Sequence, residues 1–144
     1  MNQTNTNKLV KSYPKIFKNV GGDRMVTCMA FGFECGDGWY DLLNDLSENI
    51  QKLMDDYGFE IVADQVKQKF GALRFYYHFE GYHGVPEEVL KTVEKLIDRA
   101  EHLSNSTCEK CGDEAELSIC GMYYQTLCAT CRGTEFKLAN NNNQ

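Results

Sequence analysis

Apolar positions along the chain fall into two long runs of helical spacing, separated by a run of strict alternation. Trp39, Leu42, Leu43, Leu46, Ile50, Leu53 and Tyr57 recur as one face of a helix. Asp37 is placed to cap its start, and Gly58 to stop it. Val89, Leu90, Val93, Leu96, Ile97, Ala100 and Leu103 form a second such stripe, opened by Pro86 and two glutamates and ending near "SNST". Between the two lies "FEIVADQVKQKFGALRFYYHFE", which predicts a β-hairpin turning at Gly71. Leu73, Phe75, Tyr77 and Phe79 share one face of its second strand, and Arg74, Tyr76 and His78 the other. A two-residue loop of Phe70 and Gly71 sets Lys67 opposite Arg74; a three-residue loop shifts the register by one.

Upstream, Met25–Phe33 is rich in strand-compatible residues and is expected to be a strand between the turns "GGD" and "CGDG". "YPKIF" can dock apolar side chains on the core. "MNQTNTN" and "NNNNQ" lack apolar anchors, so residues 1–12 and 140–144 are expected to be disordered. The expectation is an α+β core over 13–106, made of a strand, two amphipathic helices and a hairpin. A cysteine-rich module over 107–139 follows it.

The chain has 144 residues, 42% apolar and 25% charged, with a net charge of −6. That length fits one domain or one small domain with an appended module. The acidity argues against non-specific nucleic-acid binding and fits a protein that meets other proteins, although a local basic patch overrides a mean. The first residues, "MNQTNTNK", are polar and lack the apolar stretch of a secretory signal, and no apolar run approaches the roughly 20 residues of a membrane span. A cytoplasmic location is expected. Seven cysteines, an odd number, in a reducing compartment disfavour a disulfide framework.

Five of those cysteines fall in "CEKCGDEAELSICGMYYQTLCATC". Cys108 and Cys111 form one CxxC pair, and Cys128 and Cys131 another, at a separation typical of zinc sites. Zinc takes four thiolates in a tetrahedron, and a two-residue gap lets one tight turn present two sulfurs. A knuckle, a short hairpin around Gly121 and a CxxC at a helix start predict a treble-clef module, with a zinc ribbon as the alternative. Four cysteine ligands close the coordination sphere, so the expected Zn2+ is structural. Cys120 is expected to be a buried packing residue.

Other constellations are weaker. Lys67, Lys69, Arg74, Tyr76 and His78 gather charge and aromatic surface on the hairpin, a candidate anion- or nucleic-acid-binding face set against a plain solvated one. Cys28 and Cys35, with His78, His83 and His102, have no spacing that demands a second metal. Glu34, Asp37 and Asp41 cluster near a turn without a partner base or nucleophile, and no catalytic fingerprint is present.

"FECGDGWYDLLNDLSENIQ", "QVKQKFGALRFYY" and the paired CxxC together resemble a family of small uncharacterised proteins encoded by bacteriophages and prophages. The resemblance runs from about Tyr13 to Cys131. It brings no activity or catalytic residue with it. It implies a phage accessory protein in a bacterial host cytoplasm. Together with the acidity, the small size and the lack of catalytic motifs, and by analogy with small acidic phage accessory proteins, the expectation is a non-enzymatic protein that binds and modulates a host protein, an anti-CRISPR-like inhibitor being the sharpest form. The rival expectations are a nucleic-acid-binding zinc finger using Lys67, Lys69 and Arg74, and, last, an enzyme using Glu34, Asp37 and the histidines near a pocket.

Overall fold

The computed structural model describes residues 1–81 and 84–139. The expected disordered tail at 140–144 and His83 lie outside them.

The N-terminal residues form helix α1 (Gln3–Ser12), correcting the expectation of disorder. The Asn2 side chain caps it by accepting from Asn5 N at 2.8 Å. One apolar residue, Leu9, is fully buried. The Met1 amino group donates to the Phe33 and Cys35 carbonyls, and Asn2 N and Asn5 Nδ2 donate to Asp37 Oδ1 at 2.8 and 3.0 Å. A polar helix of this length is not stable alone. Its contacts with the core supply what its sequence lacks.

Met25–Phe33 is not a strand. It is a turn, a 3-10 turn over Cys28–Phe31, and a two-residue strand β1 (Phe33–Glu34). Met29 is buried while Met25, Val26 and Phe31 stay exposed, so the apolar residues do not alternate with a core face. Thr27 Oγ accepts from Met29 N at 3.1 Å, a local bond that competes with strand pairing.

A 3-10 turn at Asp37–Trp39 leads into α2 (Tyr40–Tyr57). Asp37 does not cap α2; its carboxylate is taken by α1. Leu43, Leu46, Ile50 and Met54 are buried along α2 with Trp39 before it, and Tyr57 is exposed. Gly58 ends α2 in the left-handed region, its N–H donating to Met54 O at 2.9 Å.

Strands β2 (Glu60–Lys69) and β3 (Ala72–Glu80) form the hairpin, with Lys67 opposite Arg74. The two-residue loop therefore holds, and Phe70 (φ 52°) and Gly71 (φ 82°) both lie at positive φ. A bulge at Asp64 shifts the ladder. β1 pairs in parallel with β2, giving the order β1-β2-β3.

Helix α3 (Glu87–Ser104) buries Val89, Val93, Ile97, Ala100 and Ser104, and leaves Leu103 exposed. It also covers the free edge of β3: Leu73 N donates to Ser104 Oγ at 2.9 Å and Phe75 N to Glu101 Oε1 at 3.1 Å. α2 and α3 pack on each other and on the sheet, around Phe17, whose ring meets Phe33 edge-on at 4.9 Å.

The rest forms a second sheet of order β5-β4-β6, from β4 (Glu116–Cys120), β5 (Tyr123–Leu127) and β6 (Lys137–Leu138). One helical turn, α4 (Ala129–Arg132), lies between β5 and β6. The architecture is α+β with two small sheets. No helix among the described residues is long and apolar enough to cross a membrane.

Leu9→Ala is expected to destabilise the protein by about 2–5 kcal/mol, the cost of emptying a buried leucine site. Chemical denaturation measures it, and a stability equal to the parent's would mean that α1 is not docked.

Candidate metal centre

The first CxxC pair sits in a tight knuckle. Cys108 N donates to Asp113 O at 2.7 Å and Gly112 N to Cys108 O at 2.9 Å. The second pair opens α4: Cys128 precedes the helix and its sulfur accepts from Cys131 N at 3.3 Å. Knuckle, hairpin and helix start follow in treble-clef order. The hairpin folds the chain back so that two pairs distant in sequence meet.

The four sulfurs of Cys108, Cys111, Cys128 and Cys131 all lie within 4.8 Å of one another, with Cys111 and Cys128 3.6 Å apart. Zinc–thiolate bonds of about 2.3 Å in a tetrahedron put sulfurs about 3.8 Å apart. The quartet therefore fits a metal ion, and its soft donors suit zinc. Burial pushes the Cys108 thiol up, but the N–H groups of Cys128, Cys111 and Lys110 outweigh it and hold the thiol lowered, at about 7. The Asp113 N–H draws Cys111 down, while burial and the three neighbouring sulfurs push it up further, to about 12. Cys131 is raised, first by Cys128. The backbone favours the Cys108 thiolate, and Cys111 and Cys131 resist ionising beside it.

The module is clamped to the core by "GDGW". Gly38 N donates to Glu109 O at 2.8 Å, and Trp39 Nε1 to Thr107 O at 2.8 Å. A Cβ on Gly38 would collide with the Cys108 carbonyl and sit 2.6 Å from Gly112 N. One on Gly36 would strike the Glu109 carbonyl. The Glu109 carboxylate is buried and accepts from Gly36 N at 3.1 Å and Gln125 Nε2 at 3.2 Å. Burial raises its pKa, and the Gly36 N–H holds it back. A second clamp joins the hairpin tip to the module, with Thr126 Oγ donating to Gly71 O at 2.7 Å. Sequence reasoning did not foresee the roles of Gly36, Gly38 and Glu109. The signal was the paired glycines before a tryptophan, read only as a turn.

The candidate anion face is divided. Arg74 Nη1 lies 3.7 Å from Glu101 Oε2. His78 is held between Asp64 (2.7 Å) and Glu80 (3.0 Å), and Lys18 also pairs with Glu80. Lys67 and Lys69 make no ion pair among the described residues, and Tyr76 is exposed. The two lysines instead flank a cleft of about 330 Å³ between the tips of the two hairpins.

Cys120 is exposed, correcting the expectation of a packing role: it ends β4 next to the turn, where there is no core to enter. Cys28 is exposed as well, and Cys35 is buried, its thiol pushed up to about 12 by desolvation. Among the described residues no other group of His, Cys, Asp and Glu side chains gathers as the quartet does, so Glu34, Asp37 and Asp41 do not form one.

Three outcomes follow from this geometry. Chelation is expected to release one metal per chain and melt the module, seen by native mass spectrometry and circular dichroism; a chain that purifies without metal and keeps its fold would sink the assignment. Gly38→Ala is expected to cost about 1–3 kcal/mol or more through overpacking against backbone, read by denaturation. His78 is raised chiefly by its Glu80 hydrogen bond, opposed by burial and aided by Asp64. Its contribution is therefore full below its unfolded value of about 6.5 and lost as pH rises through the higher folded value. The melting-temperature difference between the parent and His78→Gln should shrink from acid to alkaline pH.

Comparison with protein-family models, with curated proteins and with solved structures finds no match for this chain.

Proposed function

We propose that the protein is a non-enzymatic binding protein, braced by a structural zinc, that docks on another protein and modulates it. The observation that carries this reading is a set of large apolar side chains held out in solvent on two fixed hairpin tips. Met122 is 94% exposed, Phe70 68% and Tyr123 55%. Met and aromatic residues are enriched in the buried centres of protein interfaces. They stand on rigid elements here. The β2–β3 tip is bonded through Gly71 to Thr126, and the metal quartet fixes the β4–β5 hairpin. Zinc closed by four cysteines has no position left for a reacting water, so its part is to hold this geometry.

The resemblance to phage-encoded proteins supplies the setting for the proposal: a bacterial host cytoplasm, a host protein as partner, and inhibition of a host defence effector such as a CRISPR nuclease as its sharpest form. The test is affinity capture from host lysate with the metal-loaded protein, followed by assay of the captured protein's activity. A stoichiometric host partner whose activity falls is expected. Recovery of no partner would end the reading.

A second reading is nucleic-acid binding through Lys67, Lys69 and Arg74 with Tyr76 and His78. It is favoured by the two lysines without ion-pair partners and weakened by the carboxylates on Arg74 and His78. It requires binding that falls steeply with salt.

A further inference from the structure

Resting on the binding-protein reading, we infer that the cleft between the two hairpin tips is a recognition site for an acidic, apolar peptide segment of the partner. Lys67 and Lys69 would pair with its carboxylates, and Phe70, Met122 and Tyr123 would pack on its large side chains.

Three independent features point to this cleft. The first is its charge. In a chain of net charge −6, Lys67 and Lys69 carry two cations with no ion pair among the described residues, and both line the cleft. Glu34 and Glu109 line it as well. The Glu109 carboxylate is buried against Gly36 N and Gln125 Nε2, and the Glu34 carboxylate accepts from the neutral Gln65 amide at 3.2 Å. The exposed charge of the lining is therefore two cations against one carboxylate. The second is its shape. A volume of about 330 Å³ lies in the range that encloses a few side chains rather than a single water or ion. The Lys69 ammonium sits 5.8 Å from the Phe70 ring centroid, so charge and aromatic surface are presented together.

The third feature is strain. Phe70 has φ 52° in the first loop position of the hairpin, where Asn, Asp or Gly is strongly preferred. A bulky residue held in the left-handed region costs stability, and such strain collects at ligand sites. No core packing repays it here, because the Phe70 ring is mostly exposed; its one aromatic neighbour is Tyr124, edge-on at 6.4 Å. A side chain that strains its own turn in order to stand in solvent is explained by what it binds.

The magnitudes favour a peptide over a nucleic acid. Two lysines neutralise at most two phosphates, a salt slope of only about −1.4 for a single strand, which is weak binding. The chain's acidity opposes a longer polyanion. One or two carboxylates beside apolar side chains match both the lysines and the exposed Phe and Met.

The test is an array of short peptides in which acidic and large apolar residues are varied together, with amide, basic and fully polar controls, and oligo-dT in parallel. It is read with the metal-loaded parent, with Lys67→Ala/Lys69→Ala and with Phe70→Asn. Acidic–apolar peptides should bind the parent and lose at least roughly tenfold in affinity in both variants. Phe70→Asn should melt at or above the parent's temperature, because asparagine suits the turn; this separates lost binding from lost fold. Absence of peptide binding, binding unchanged in both variants, or tighter binding to oligo-dT than to any peptide would overturn the inference. If a host partner is captured equally by parent and Phe70→Asn, the binding-protein reading stands and the cleft does not carry it. If none is captured, that reading falls regardless of the peptides.

Discussion

The structure turns on one close backbone contact, that of Gly38 against the first metal knuckle. Only a residue without a Cβ lets the "GDGW" turn approach the Cys108 carbonyl and the Gly112 amide so nearly. The approach brings Trp39 Nε1 to the Thr107 carbonyl and seats a fully buried indole between core and module. It also aligns Gly36 and Gly38 with Glu109, whose buried carboxylate is satisfied from both sides. The metal site and the α+β core thus share one set of hydrogen bonds. The knuckle is bonded in this way to the turn that starts α2, and Asp37 of the same turn is bonded to α1.

The second clamp has a different consequence. The Thr126–Gly71 hydrogen bond joins the two hairpins beside the cleft that their tips line. The strained Phe70 stands at the lip of that cleft beside two lysines, while the other basic groups of the same hairpin are neutralised by Glu101, Asp64 and Glu80. The charge that remains available is local and small. That explains how an acidic chain can present a cationic site without being a general polyanion binder.

Local rules predicted well wherever the pattern itself requires burial. The stripe from Trp39 to Leu53, the stripe from Val89 to Ala100 and the alternation from Leu73 to Phe79 each have one energetically sensible orientation, and each adopts it. The two-residue loop of the hairpin followed from strand register. Local rules failed where burial depended on distant groups. α1 has a single buried side chain and is held by Phe33, Cys35 and Asp37, more than thirty positions away. Met25–Phe33 has strand composition but meets no sheet that would pair its full length.

What the chain determined by itself is the chemistry of the site. Two CxxC pairs specify four soft donors, and their sulfurs gather at a spacing that fits one ion. The helices and the hairpin are likewise written in periodicities that any neighbour of the right polarity would satisfy. Only the tertiary structure decided that the module docks instead of standing apart, that Asp37 receives α1 instead of capping α2, and that Arg74 and His78 are neutralised while Lys67 and Lys69 are not. Those outcomes rest on contacts between residues far apart in sequence. No local pattern encodes them, because the free energy of each depends on which surface folding brings opposite it.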